Sequence, residues 1–259
     1  MRADIALVEQ GLCPSRAQAQ QLIEQGKVTV RSRPNQPAEL VKKASQRIEA
    51  FAALEVSEGS ALQYVSRGGI KLRDAMEQTN VSASNKRCVD FGQSTGGFTD
   101  CLLQAGASCV TGMDVGKDQL HPKLRERHDV FAMEGINLYK IDASNLLDEI
   151  KHNQPSFMPW ELAVADLSFI SLRKVMPNLA RLLPVSCEAL FLIKPQFEVG
   201  PEHIGKNGLV KNADALIEPL KKDLKECCTA NQFEMHNFFQ CGIKGGDGNQ
   251  EYFLHATRR

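Results

Sequence analysis

Short apolar runs recur along the last two thirds of the chain and alternate with stretches of helical periodicity. The runs occupy residues 88–91, 109–113, 162–165 and 190–193. Continuous apolar strands that alternate with helices are typical of a parallel sheet covered by helices on both faces. The sequence therefore predicts an α/β domain of the Rossmann-like type with a mostly parallel sheet.

The carboxyl-terminal end of the chain has a different pattern. Mostly apolar runs at 238–239 and 252–255 flank the segment Gly245-Gly246-Asp247-Gly248-Asn249. Glycine, aspartate and asparagine between two β-prone runs favour a hairpin. We therefore expect the final strand to run antiparallel to its neighbours.

The beginning of the chain predicts two short helices. The first covers residues 3–10 and ends at Gly11. Ser15 and Gln18 resemble a capping box for the second helix, which ends at Gly26. Together these helices form a helix-turn-helix opening.

Two short strands complete a compact α+β module. They are expected at residues 27–30 and 46–51, on either side of the proline-rich residues 31–37. The composition then changes at Glu58-Gly59-Ser60, and a helical stretch begins at Ile70. The expected organisation is an amino-terminal module at residues 1–58, a linker at 59–65 and the α/β domain at 66–259.

Composition excludes several classes of protein. Lys and Arg total 31, as do Asp and Glu, so a nucleic-acid surface would have to be a local patch. The eight cysteines include no CxxC pair and no histidine stands at zinc-ligand spacing, so we expect neither a metal site nor a disulfide framework. No secretion signal or long apolar span is present. These features predict a reduced, cytoplasmic protein.

A glycine-rich loop follows the first apolar run of the α/β domain, where a strand gives way to a helix. Its glycines would let a ligand approach the backbone closely. Asp114 ends the next strand, where it can accept hydrogen bonds from both hydroxyls of a ribose, and Asp90 suits an ammonium group. We therefore expect a cofactor with a ribose and an ammonium group to bind here. The residues expected to hold it are Asp90, Gly92, Ser94, Thr95, Gly96, Gly97, Phe98, Asp114 and Asp166.

Two cofactors are compatible with a strand-end acid of this kind. Dinucleotide enzymes carry one as well. However, Gly92, Gly96 and Gly97 miss the GxGxxG spacing, and S-adenosylmethionine has an ammonium and no pyrophosphate. The pattern therefore favours methyl transfer over hydride transfer.

Four polar residues suit a reaction at a ribose hydroxyl. Asp166 and Lys194 each follow an apolar strand, and the carboxyl ends of parallel strands line one crevice. Considered singly, each is also compatible with a solvated charge, and Lys71 and Glu251 carry weaker signals. A hydroxyl reacts only when its proton is removed or polarised, and an ammonium close to another cation loses its proton more easily. Lys194 beside Lys71 would fit that role, with Asp166 and Glu251 orienting the ammonium groups.

With these features the chain resembles the TlyA proteins, often labelled haemolysins, which are similar to FtsJ-type ribosomal RNA ribose methyltransferases. The resemblance covers nearly the whole length. The segments that carry it are residues 15–19, 64–72, 94–100, 166–171, 194–198 and 248–253. Two departures stand out: the loop reads Asp-Phe-Gly-Gln at residues 90–93 where the family commonly has Asp-Ile-Gly-Ala, and residues 134–137 replace a common Arg-Thr-Asn.

The resemblance implies 2′-O-methylation of cytidine in ribosomal RNA by S-adenosylmethionine. It assigns catalysis to Lys71, Asp166, Lys194 and Glu251, and it adds Asn137 to the cofactor site. It also implies that the amino-terminal module binds RNA like a module of a small-subunit ribosomal protein. The basic residues expected to contact RNA are Arg2, Arg16, Lys27, Arg31 and Arg67.

Two other functions are weighed against this interpretation. A membrane-active haemolysin is suggested by the family label, although the sequence offers no spanning segment or strongly basic amphipathic helix. A non-catalytic RNA-binding or ribosome-assembly factor is suggested by the basic residues of the module. The glycine loop together with the polar set favours an enzyme.

Overall fold

The computed structural model describes residues 1–13, 16–31, 37–49, 52–57 and 63–259, without the side chains of Ala17 and Asn207. The chain divides into two compact units, Met1–Ile70 and Lys71–Arg259. The predicted capping residue Ser15 and the linker residues Glu58-Gly59-Ser60 lie outside the described residues. The domain boundary inferred from the sequence therefore stays a prediction.

The first unit contains two helices and a small antiparallel sheet. The helices are α1 (Ala3–Glu9) and α2 (Arg16–Glu24), and the strands are β1 (Val28–Arg31), β2 (Glu39–Leu40) and β3 (Ala53–Val56). The strand order is β2-β1-β3. Gly11 and Gly26 follow the two helices with positive φ angles of 67° and 66°, which confirms them as the predicted helix ends.

The strand predicted at residues 46–51 is wrong. Within its described part, Arg47 makes only an isolated bridge to Arg2, while β3 pairs with β1 instead, with Leu54 opposite Val30. Ile48 is nevertheless buried in the core of this unit. Its apolar character therefore reflects packing from an irregular segment, which a β-prone composition does not distinguish from a strand.

The second unit alternates strands and helices, beginning with α3 (Gly68–Thr79), a helix that spans the division between the units. In chain order the further elements are β4 (Arg87–Phe91), α4 (Gly97–Gln104), β5 (Cys109–Asp114), α5 (Pro122–Arg125), β6 (Val130–Glu134), α6 (Ala143–Asn153), β7 (Leu162–Ala165), α7 (Leu172–Leu182), β8 (Glu188–Ile193), α8 (Pro195–Glu198), α9 (Ala213–Ala230), β9 (Phe233–Gln240) and β10 (Tyr252–Arg258).

These strands form one seven-stranded sheet in the order β6-β5-β4-β7-β8-β10-β9. Neighbouring strands from β6 to β8 are parallel, and β10 is antiparallel to both β8 and β9. The predicted α/β fold with an antiparallel final strand is confirmed. β6 was not among the predicted strands; it is an edge strand in which only Met133 is buried.

The sheet order explains where a ligand site forms. From β4 the chain proceeds to β5 and β6 on one side and then returns to β7 and β8 on the other. In open α/β sheets, ligands bind outside the carboxyl ends of the strands at the point where the order reverses. That point lies between β4 and β7.

In the part of the chain that the structure describes, no helix is both long enough and apolar enough to cross a membrane.

Seven of the eight cysteines are buried, and Cys227 is partly buried. This confirms the prediction that they mostly pack as small apolar residues.

Candidate active site

The loop after β4 is held close to the end of β7. Gly92 has a φ of +84°, and a Cβ at this position would lie 2.5 Å from the backbone oxygen of Asp166. The amide of Asp166 in turn donates to the backbone oxygen of Phe91, at 2.9 Å. A side chain at position 92 would therefore push the two strand ends apart.

Gly96 and Phe98, which the sequence predicts to bind the cofactor, also have roles in packing. Gly96 has a φ of +91°, and a Cβ there would lie 2.4 Å from the Leu124 side chain. Phe98 is buried and its ring stacks against Phe253, with ring centroids 6.3 Å apart. Gly96 thus allows the loop to pack under α5, and Phe98 belongs to the core.

A cavity of about 520 Å³ lies at the carboxyl ends of β4, β5, β6 and β7. This volume is in the usual range for small-molecule sites. Five of the residues predicted to bind the cofactor line it: Gly92, Ser94, Asp114, Asn137 and Asp166. The predicted residues that do not line it are Asp90, Thr95, Gly96, Gly97 and Phe98.

Asp114 organises one wall of this cavity. Its carboxylate accepts hydrogen bonds from the amides of Ser94, at 2.8 Å, and Gly116, at 2.6 Å. Each carboxylate oxygen can accept more than one hydrogen bond. Both oxygens therefore keep lone pairs for the hydroxyls of a bound ribose.

Replacing Asp114 with alanine is expected to weaken S-adenosylmethionine binding by ~1–3 kcal/mol, because hydrogen-bonding groups in the cavity would lose their partner. Isothermal titration calorimetry measures the change. The control is Glu126→Ala, since Glu126 is exposed and does not line the cavity. Unchanged affinity in a folded Asp114→Ala protein would remove Asp114 from the site.

Asp90 lies beneath the loop and is fully buried. Its Oδ2 accepts hydrogen bonds from the Thr99 amide, at 3.0 Å, and the Thr99 hydroxyl, at 2.7 Å. Oδ1 is also buried, and the described residues supply it no hydrogen-bond partner. Burial, together with the negative charges of Asp166 and Asp114, raises the pKa of Asp90 to about 7.

These features fit S-adenosylmethionine. A buried carboxylate with an unpaired oxygen suits the positive charge of the amino-acid ammonium. Asp114 lines the cavity and suits the ribose hydroxyls. Asp114 would thus contact the ribose directly, whereas Asp90, which does not line the cavity, would attract the ammonium through its charge.

Two lysine–carboxylate pairs lie at the same edge of the sheet. Lys71 Nζ donates to Glu251 Oε2 at 2.5 Å, and both side chains are buried. Lys194 Nζ lies 2.6 Å from Asp166 Oδ1 and donates to Ser168 Oγ at 2.7 Å. The ion pairs join each lysine to a carboxylate, in keeping with the orienting role expected for Asp166 and Glu251. The placement of the two lysines side by side stays a prediction.

The two pairs form one electrostatic cluster. Burial raises the pKa of Glu251, Lys71 opposes that rise, and the charges of Asp166 and Lys194 also act on the same carboxyl. The structure therefore brings together all four residues predicted to be catalytic. Asp166 also lines the cavity, so the cluster adjoins the candidate cofactor site.

Two residues of the site were missed by the sequence analysis. Ser168 accepts the hydrogen bond from Lys194. Phe169 is 90% exposed, lines the cavity and has a φ of +63°, which is unfavourable for a bulky side chain. Its ring lies 5.3 Å from that of Phe197. A polar and an aromatic residue two and three positions after the strand-end Asp166 were the available signal.

Most of the basic residues predicted to bind RNA are already in ion pairs within the first unit. Arg2 and Arg16 both contact the buried Asp4, at 2.9 and 3.2 Å. Arg31 pairs with Glu55 at 3.4 Å and Arg67 with Glu24 at 2.7 Å. Lys27 is exposed. Phosphate contacts by these arginines would therefore share or replace their present partners.

Comparisons with known proteins cover both units. The FtsJ-like methyltransferase family profile matches residues 64–258, and the S4 domain profile matches residues 1–34. "Putative rRNA methyltransferase YqxC" of Bacillus subtilis is 38% identical over 255 residues, or 98% of this chain and 84% of that protein. "16S/23S rRNA (cytidine-2'-O)-methyltransferase TlyA" of Mycobacterium tuberculosis is 34% identical over 258 residues, or 98% and 88%. The solved structure "Putative hemolysin from Streptococcus thermophilus" has a TM-score of 0.73 and 34% identity, covering 100% of this chain and 88% of that one.

Proposed function

Because the chain belongs to the FtsJ-like methyltransferase family and carries an S4 domain, we propose that it methylates a ribose 2′-hydroxyl of ribosomal RNA. The methyl donor in this proposal is S-adenosylmethionine. The predicted family resemblance is confirmed. The name of the Mycobacterium tuberculosis relative specifies cytidine and a 2′-oxygen, which supports cytidine as the target here.

One observation carries the proposal. Asp166 lines the cavity that fits the cofactor and also contacts Lys194 at 2.6 Å. The group suited to handling a hydroxyl proton is therefore held next to the place from which a methyl group would be transferred. Such proximity replaces a bimolecular encounter by an aligned one.

The residues of the cluster have separate roles. S-adenosylmethionine, when bound, supplies a methyl group already activated by its sulfonium. Asp166 and Ser168 hold the Lys194 side chain in place. In its neutral form, Lys194 can then accept the proton that the 2′-hydroxyl loses as its oxygen is methylated. The buried pair of Lys71 and Glu251 adds no net charge while it fixes the other side of the cluster.

The S4 domain suits the RNA partner. Its exposed Lys27, and the partly exposed arginines, provide positive charge that can contact phosphates. We propose that this unit docks the enzyme on ribosomal RNA, and that the enzyme works in the cytoplasm where ribosomes are assembled. Its modest charge implies binding through a local patch.

Affinity for S-adenosylmethionine is expected to fall about tenfold when the pH is lowered from 8 to 6. The pKa of Asp90 is about 7, so the carboxyl becomes protonated over this range. It then loses the negative charge that attracts the cofactor's ammonium. Calorimetry at several pH values measures the effect, and Asp90→Asn should flatten the profile. Affinity that rises as the pH falls would contradict this role of Asp90.

The proposal is tested by methyl transfer to ribosomal subunits from cells that lack this protein. Labelled S-adenosylmethionine should give 2′-O-methylated nucleotides in the extracted RNA, and mapping should place them at cytidine. Methylation of a base, or none with either subunit, would overturn the proposal.

A further inference from the structure

The buried amide side chain of Gln93 is connected to Asp90 through the hydroxyl of Thr99. Gln93 is only 5% exposed, and its Nε2 donates to the Thr99 hydroxyl oxygen at 2.9 Å. The same hydroxyl donates to Asp90 Oδ2 at 2.7 Å. A hydroxyl has one hydrogen, so a Thr99 oxygen that accepts from Gln93 keeps that hydrogen directed at Asp90.

The neighbouring strand leaves space for this amide. Gly112 on β5 pairs with Asp90 on β4, and a Cβ at position 112 would lie 2.0 Å from the Cδ and Nε2 atoms of Gln93. Any larger residue at position 112 would displace the amide. Gln93 therefore occupies a site shaped by both strands, at the position where the resembled family commonly has alanine.

Asp90 is finely balanced between its neutral and charged forms. Burial is the largest effect that opposes a negative charge on Asp90, and Asp166 just after β7 and Asp114 at the end of β5 oppose it as well. The two hydrogen bonds from Thr99 on α4 favour that charge. A small change in the Thr99 hydrogen bonds should therefore change the fraction of Asp90 that is charged near neutral pH.

We propose that Gln93 is a positioning residue for the cofactor: by fixing the Thr99 hydroxyl on Asp90, it keeps the Asp90 carboxylate charged to attract the ammonium of S-adenosylmethionine. This inference rests on the proposed function, because it concerns the same cofactor site. Gln93 itself does not line the cavity and acts only through Thr99 and Asp90.

The test measures S-adenosylmethionine affinity against pH by calorimetry. Gln93→Met keeps a long side chain and removes the donor. We expect the midpoint of the pH profile to move up by about half to one pH unit, so that affinity at pH 6 falls about threefold to tenfold. At pH 9 the affinity should return close to that of the wild type. An unchanged midpoint would overturn the inference.

A double-mutant cycle shows whether Gln93 acts through Thr99. In a Thr99→Val background, Gln93→Met should leave the midpoint where Thr99→Val alone puts it. Additive shifts would mean that the amide acts by another route and would overturn the inference.

A comparison of Gln93→Ala with the double variant Gln93→Ala, Gly112→Ala separates hydrogen bonding from packing. It does not require that Thr99→Val folds. Gln93→Ala with Gly112→Ala refills part of the vacated space without restoring a donor, so melting should recover while the midpoint stays raised. A midpoint restored by Gly112→Ala would assign Gln93 to packing alone. Wild-type protein that binds no S-adenosylmethionine at any pH would instead refute the proposed function.

Discussion

Replacing Lys194 with alanine is expected to slow single-turnover methyl transfer by ~10²–10⁴-fold, the usual contribution of a positioned proton-handling group. Lys194 Nζ is held by Asp166 and Ser168 beside the cavity. Its removal should leave cofactor and RNA binding nearly unchanged, because Asp114 and the S4 domain remain. Rapid-quench measurements at saturating RNA and S-adenosylmethionine report the rate.

Two further variants define the role of Lys194. Lys194→Arg should rescue poorly, since a guanidinium stays protonated and has a different shape. Lys86→Ala is the matched control, because Lys86 also pairs with a carboxylate, Glu188, at 3.1 Å, but at the amino end of β4. The control should change the rate by less than about twofold. If Lys194→Ala kept more than about a tenth of the wild-type rate, alignment of the hydroxyl would be the better account.

Glu251→Ala is expected to lower the free energy of unfolding by ~3–5 kcal/mol, because it leaves the Lys71 ammonium buried without its partner. The side chains of Lys71 and Glu251 are 10% and 3% exposed, with their charged atoms 2.5 Å apart. Chemical denaturation followed by circular dichroism measures the loss. A loss below about 1 kcal/mol is what removal of an exposed ion pair costs. It would show that the Lys71 ammonium is solvated or paired with another group in the variant.

A double variant separates the stability of this pair from its role in the reaction. Lys71→Met with Glu251→Leu removes both charges, and such replacements are often neutral or stabilising. We expect near wild-type stability but methyl transfer slowed at least ~100-fold. Asp148→Ala is the control, since Asp148 and its partner Lys151 are 77% and 60% exposed. A double variant that is both stable and active would restrict the pair to a structural role.

The hairpin signal and the apolar runs were sufficient for much of the fold. The strands at 88–91, 109–113, 162–165 and 190–193 all exist, and β10 runs antiparallel as expected. Apolar periodicity and turn residues are local properties of the chain. For the same reason, the sequence placed Asp90, Asp114 and Asp166 at or just after strand ends.

The failures arose where local pattern and tertiary packing disagree. The segment near Ile48 is apolar because it fills a core. Four of the five residues of β6 are also apolar, yet most of its side chains are only partly buried because it lies at a sheet edge. Gly96 stays a predicted cofactor residue, and its missing side chain also makes room for Leu124. A glycine in the sequence indicates that a side chain would not fit at that position. It does not identify the group that occupies the space.

The sequence by itself determined the α/β fold, the strand ends that carry the acids and the set of four candidate catalytic residues. Only the tertiary structure decided how those four are paired. Lys71 and Glu251 are separated by 180 positions in the chain, and they meet because β10 inserts beside β8. Likewise, the exposed Phe169 and the chain of hydrogen bonds from Gln93 to Asp90 depend on backbone angles and on the space at Gly112. Such contacts are set by the strand order and the packing of side chains, which no local pattern along the chain specifies.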